Sequence, residues 1–139
     1  MSLTSEERFA VVKFRIDKAL RAYREAKGVL NLGYWETIAN RLYYAAYNAV
    51  SALLIANGDI AQTHSGVIHI FGLHFITTGK FSSEDGRLYH KLFTMRQTGD
   101  YDDTYGLMED DVRPFVEPTG EFIERVIQMT NALLDDNAD

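Results

Sequence analysis

The chain contains no cysteine, which excludes disulfides and thiolate metal sites. No apolar run approaches the roughly 18 residues that suggest a membrane span, so insertion into a bilayer is not expected. The N-terminal stretch MSLTSEERFA has neither a basic leader nor an apolar segment of signal length, which makes a cytoplasmic location the expectation. Nothing alternates with the two-residue period of a strand, and no internal repeat is visible. Positive charge is scarce as well. The formal net charge is -6, which argues against a general polyanion binder, because such proteins gain affinity from a surplus of lysine and arginine.

What remains is a chain of 139 residues, the size of one domain with a real core. Residues 1–139 are therefore read as a single domain whose acidic tail, 135–139, frays. The charge is unevenly placed. Residues 1–98 carry 12 Lys and Arg against 8 Asp and Glu, whereas residues 99–139 carry 2 against 12. The first two thirds can still hold a local anion site, although long-range steering of RNA by the whole molecule is weak.

Helical spacing dominates. In TSEERFAVVKFRIDKALRAYREAKGVL, Thr4 with Glu7 supplies a capping signal. Phe9, Val12, Ile16, Ala19, Tyr23, Ala26 and Leu30 then recur at three- and four-residue steps as one inward face. The basic residues of this helix, Arg15 among them, are spread around its remaining circumference, as a solvated surface requires. The stretch YWETIANRLYYAAYNAVSALLIANG is apolar on nearly every face and ends at Asn57 and Gly58, so it is the central helix. Its polar residues Thr37, Arg41, Tyr44, Asn48 and Ser51 fall on one side. Polar groups in a buried helix need partners, and Arg41 is either an internal organiser or part of a ligand-facing wall.

A third helix starts at the cap Thr63, with Val67, Ile70, Phe71 and His74 marking one face and Ile68 and Phe75 beside it, while His69 and His74 are read as structural or surface residues. His64, His69 and His74 recur every five residues, about 140° apart around the axis, and cannot converge on a metal from one helix. No metal and no cofactor is expected. His64 keeps functional interest because it sits at a helix N-terminus, where anions bind. A fourth helix is capped by Ser82 or Ser83, packs through Leu88, Leu92 and Met95, and ends at Gly99. The last segment, 109–134, contains the two prolines, Pro114 and Pro118. Because proline is costly inside a helix, a start or kink is expected near Pro118. The fold class is all-α, an antiparallel up-and-down bundle of about five helices.

The ordered set ANRLYYAAYNAVSALL, NGDIAQTHSGV, FGLHFITTGKFS and MRQTGDYDD resembles the HEPN domains, in their small stand-alone prokaryotic branch, from about residue 10 to residue 134. The resemblance implies an antiparallel helical bundle, commonly a homodimer, often encoded beside a minimal nucleotidyltransferase. Relatives include metal-independent RNases and toxins, and others are thought to bind nucleotides or RNA. The RNase relatives carry an arginine followed after four to six residues by a histidine. Such chemistry needs a group that moves a proton between the ribose 2′-OH and the leaving oxygen, and a cation for the phosphate.

Arg96 matches the family arginine, but positions 100–103 read Asp, Tyr, Asp, Asp. An aspartate of ordinary pKa is a poor general acid at neutral pH, and its charge repels phosphate. Relatives often carry histidine near the position of Asn48, where this chain has an amide. Arg96 is then either held by Asp100 in a structural ion pair or catalytic, with Asp100, His64 or Tyr101 beside it and His90 as a further proton carrier. Arg41, Tyr44, Asn48 and Tyr101 are the candidate nucleotide-binding residues. By the same resemblance Tyr101 or Tyr105 is a target for adenylylation, which would add phosphate charge to the site. Three functions follow: a nucleotide- or RNA-binding protein that works with a nucleotidyltransferase partner, a metal-independent RNase toxin of a toxin-antitoxin pair, or a structural dimerisation module suited by its 8 tyrosines.

Overall fold

The computed structural model describes residues 3–101 and 106–136, the side chains of Asp100 and Tyr101 excepted. Among these residues every regular element is helical: α1 (Ser5–Gly28), α2 (Trp35–Ala56), α3 (His64–Phe71), α4 (Ser83–Tyr101), the one-turn α5 (Glu109–Val112) and α6 (Val116–Asp136). The expected bundle of five helices is present, with α5 as a short addition. None of the described helices is long and apolar enough to cross a membrane.

The caps stand where the sequence predicts them. Glu7 N–H donates to Thr4 Oγ1 at 3.0 Å and Thr4 N–H donates back to Glu7 Oε1 at 2.9 Å, a reciprocal capping box. Thr63 caps α3 through Gly66 N–H, and Ser82 with Asp85 forms a second reciprocal pair at α4. The carboxylate of Asp85 also accepts a hydrogen bond from Arg125 on α6 at 2.5 Å. α2 stops at Asn57 and Gly58, whose φ of 84° lies in the left-handed region glycine tolerates.

The cross-links between α1 and α2 run in antiparallel order: Arg8 to the Ile55 carbonyl, Arg15 to Asn48, and Arg41 to Glu25. α2 is the central rod, packed against α1, α4 and α6, and its Ile38, Leu42, Tyr43, Val50 and Leu53 are fully buried. One side chain differs from its expected position. Phe9 is 52% exposed, whereas Val12, Ile16 and Ala19 on the same face are buried. His74 is a partly exposed structural residue, as expected. The turn after α3 widens into a π-helix over Gly72–Ile76, and this phase change buries Phe75. His74 pairs with Asp59 at 2.9 Å.

Two further boundaries move. α4 continues through Gly99 to Tyr101. Gly99 is a contact point, not a stop, since a Cβ there would lie 2.9 Å from Leu107 Cδ1 and 3.4 Å from Glu36 Cγ. α6 holds its helical form to Asp136, further than the expected fraying at 135; residues 137–139 lie outside the described residues. Pro118 falls in the first turn of α6, where its missing N–H costs little, so the helix starts near it as expected.

Gly120 on α6 permits the closest approach of α1. A Cβ there would lie 2.3 Å from Tyr23 Oη and 2.6 Å from its Cζ, and the same hydroxyl donates to the Val116 carbonyl at 2.9 Å. Gly120→Ala must displace the whole ring and break that bond. A net loss of about 1 kcal/mol is expected, overpacking outweighing the better helix propensity of alanine. In a Tyr23→Ala background the clash is gone and Gly120→Ala is expected to stabilise by a comparable amount. Urea denaturation of the four proteins measures this reversal of sign.

Candidate functional site

The polar side of α2 meets α3 and α4 in a cluster of four aromatic rings and three guanidinium groups. Tyr43 and Tyr44 are adjacent on α2 and stand edge to face, with centroids 5.1 Å apart. Tyr47, one turn later, stacks on His64 at 4.4 Å with an interplanar angle of 11°. Arg96 reaches over from the last turns of α4. Its Nη2 donates to Tyr44 Oη at 2.9 Å, and its Cζ lies 5.4 Å from the Tyr43 ring and 5.3 Å from the Tyr44 ring, a cation–π geometry on both. Arg41 approaches the same Tyr44 ring to 5.4 Å and pairs with Glu25 at 3.2 Å. The pair is partly exposed and so weak. Arg41 thus links α2 to α1 through Glu25 and lies, partly exposed, beside a ring of the cluster. Arg41, Tyr44, Tyr47, His64 and Arg96 are all half-buried, which leaves the cluster open to a ligand.

His64 is held at Nδ1 by the hydroxyl of Tyr43, 2.5 Å away. Burial, and then the coulombic field of Arg96, lowers the His64 pKa, while burial raises that of Tyr43 above the usual tyrosine value. At neutral pH both side chains are therefore uncharged. Their 2.5 Å contact joins a neutral hydroxyl and a neutral imidazole, and the imidazole tautomer sets which of them donates. With Nδ1 engaged by Tyr43, Nε2 is the ring nitrogen left for a ligand, a donor in one tautomer and an acceptor in the other.

Because the folded pKa of His64 lies below its unfolded value near 6.5, the unfolded chain binds the more protons as pH falls through that value. Acidification consequently destabilises the fold, and the contribution of His64 is fully present above about pH 6.5. His64→Gln, which cannot titrate, is expected to lose less thermal stability than the wild type between pH 7.5 and pH 5.5. Parallel melting curves measure the difference.

Asn48 is only 5% exposed, and both ends of its amide are used within the protein. Nδ2 donates to the Tyr44 carbonyl at 2.9 Å, and Oδ1 accepts from Arg15 Nη1 at 3.0 Å. It holds α1 and does not reach Arg96. Arg15, whose Cζ lies 6.0 Å from the Tyr47 ring, is the cation that the sequence alone assigned to a solvated surface. The signal that would have found it is its register opposite Asn48 in an antiparallel helix pair. The expected ion pair of Asp100 with Arg96, and the roles of Tyr101 and Tyr105, lie outside the described side chains. His90 is exposed and packs loosely on Phe93 with ring centroids 6.3 Å apart. His69 is exposed, and the three regularly spaced histidines do not converge. A groove of about 890 Å³ between α3 and α4, lined by Phe71, Ile76 and Tyr89, contains neither Arg96 nor His64.

The HEPN domain model matches residues 12–130, and the chain belongs to that family. It is similar to a UPF0332 protein of Thermotoga maritima, 31% identical over 127 residues that cover 91% of this chain and 96% of that one. It is also similar to the protein of Methanocaldococcus jannaschii named "Putative toxin MJ0142", 28% identical over 96 residues, 69% of this chain and 65% of that one. Among solved structures, TT1696 from Thermus thermophilus shares the fold with a TM-score of 0.67 and 17% identity, over 88% of this chain and 97% of that one.

Proposed function

We propose that this HEPN protein binds a nucleotide or an RNA segment through phosphate at the Arg96 cluster and works with a minimal nucleotidyltransferase partner. The observation that carries the reading is Arg96 seated on Tyr43 and Tyr44 with Nη2 fixed by the Tyr44 hydroxyl. A guanidinium oriented in this way offers phosphate oxygens a fixed, delocalised positive charge. The neighbouring rings offer faces on which bases stack, and His64 keeps Nε2 for a polar contact with the ligand. Binding without hydrolysis is favoured because no histidine follows Arg96 at the four-to-six-residue spacing of the RNase relatives.

The decisive experiment is a titration of a fluorescein-labelled single-stranded oligoribonucleotide with purified protein at low salt, followed by anisotropy. Saturable binding, with the oligonucleotide intact in EDTA, is the expected result. Absence of binding to RNA, to mononucleotides and to a co-expressed nucleotidyltransferase removes the proposal.

The second reading, a metal-independent RNase toxin, draws support from the toxin-named archaeal relative and from the electrostatic coupling of Arg96 with His64. It requires cleavage of the oligonucleotide in EDTA that disappears in Arg96→Ala. Cleavage at an equal rate by that variant assigns the activity to a contaminant.

A further inference from the structure

α1 contributes one side chain that the proposed function does not use. Arg15 is half-buried, with Nη1 on Asn48 Oδ1 at 3.0 Å and Cζ 6.0 Å from the Tyr47 ring. The acceptor is rigid, because Asn48 is buried and its amide nitrogen is fixed on the Tyr44 carbonyl. Among the described residues no carboxylate forms an ion pair with Arg15. A partly desolvated guanidinium with a neutral partner has charge and donors left for an anion.

The placement of Arg15 is what gives this meaning. The side chain touches Tyr47, Tyr47 stacks on His64 and stands edge-on to Tyr44 at 6.1 Å, and Tyr44 accepts the hydrogen bond of Arg96. Arg96 is anchored on Tyr44 and Arg15 on Asn48, four residues apart on α2 and so about 6 Å along the helix. The two cations thus border one continuous set of ring contacts, Arg15 at Tyr47 and Arg96 at Tyr44. We infer that Arg15 forms a second phosphate subsite, so that the cluster is built for at least two consecutive nucleotides of a single strand and not for a mononucleotide. The inference rests on the phosphate-binding reading of Arg96 and specifies its ligand.

The test compares wild type, Arg15→Gln, Arg15→Lys and Arg96→Ala against AMP and against a labelled pentanucleotide RNA at three salt concentrations. Arg15→Gln is expected to bind the pentanucleotide about 10-fold more weakly, as the loss of a hydrogen bond to a charged group implies. Its salt slope should fall by about 0.7, the value for one phosphate contact on a single strand, while AMP affinity stays within twofold. Arg15→Lys keeps the charge and should keep the slope that Arg15→Gln lowers, whereas a purely structural role for Arg15 would change the slope in neither variant. If Arg15→Gln weakens AMP and RNA equally, or leaves RNA binding unchanged while Arg96→Ala abolishes it, the second subsite is overturned and the Arg96 reading stands. If wild type binds neither ligand, both readings fall.

Discussion

Arg96→Ala is expected to weaken RNA binding roughly 10- to 100-fold at low salt, the ~1.5–3 kcal/mol typical of a hydrogen bond to a charged group. The effect should be large because Arg96 is already placed in the unliganded protein. Its Nη2 is fixed on Tyr44 Oη, and its plane rests on two tyrosine rings. Little side-chain freedom remains to be lost when an anion arrives, which is the advantage of preorganisation. Arg96→Lys should recover only a minor part of the affinity. An ammonium retains the charge but lacks the planar fork and the stacking. Tyr44→Phe separates the two contributions: it removes the hydroxyl that orients Nη2 and keeps the ring, so an intermediate loss is expected. Anisotropy titrations at one fixed salt concentration measure all three, and unchanged affinity in Arg96→Ala would remove Arg96 from the site.

The largest expected effect on stability comes from Phe122→Ala, a loss of about 3–5 kcal/mol. Phe122 is fully buried on α6, and its ring lies 5.9 Å from Phe71, 6.4 Å from Phe81 and 6.3 Å from Tyr89. It joins α6 to the turn after α3 and to α4, so no single helix can close the cavity by shifting. Against a typical total stability of ~5–15 kcal/mol, this substitution brings the chain near its folding limit. Phe122→Leu fills most of the volume and should cost under about 1.5 kcal/mol. Urea denaturation checks both, and a midpoint shift in Phe122→Ala no larger than that of Phe122→Leu would show that the cavity collapses. Tyr89 also stacks on Tyr43, at 6.3 Å, and Tyr43 holds His64. The core that Phe122 supports is thus continuous with the floor of the site.

Local signals were readable wherever they depend on neighbours along the chain. Thr4 with Glu7, Thr63 and Ser82 all cap helices as expected, because a cap satisfies backbone N–H groups two or three residues away. The apolar character of α2 on nearly every face likewise announced its central position. Periodicity failed where something outside the helix intervened. It placed Phe9 inside because the residue shares a face with Val12, yet Phe9 is half exposed. Nor does anything local announce the π turn over Gly72–Ile76.

The site shows the same division. Arg96, Arg41, Tyr44 and His64 could be named from residue type, helix position and family pattern, and the fold brings them around the Tyr43 and Tyr44 rings. Asn48 was legible as a polar residue on a buried helix, but not as the holder of Arg15. Nor was the hydrogen bond from Tyr43 to His64 legible, since the two residues are 21 positions apart.

The sequence by itself determined the helices, their caps and the all-α class, because each is a property of spacing within one or two turns. Only the tertiary structure set Arg15 of α1 against Asn48 and the Tyr47 ring, and His64 against the Tyr43 hydroxyl. Those facts depend on which helix faces which, and on the burial and neighbouring charge that side chains from distant parts of the chain impose.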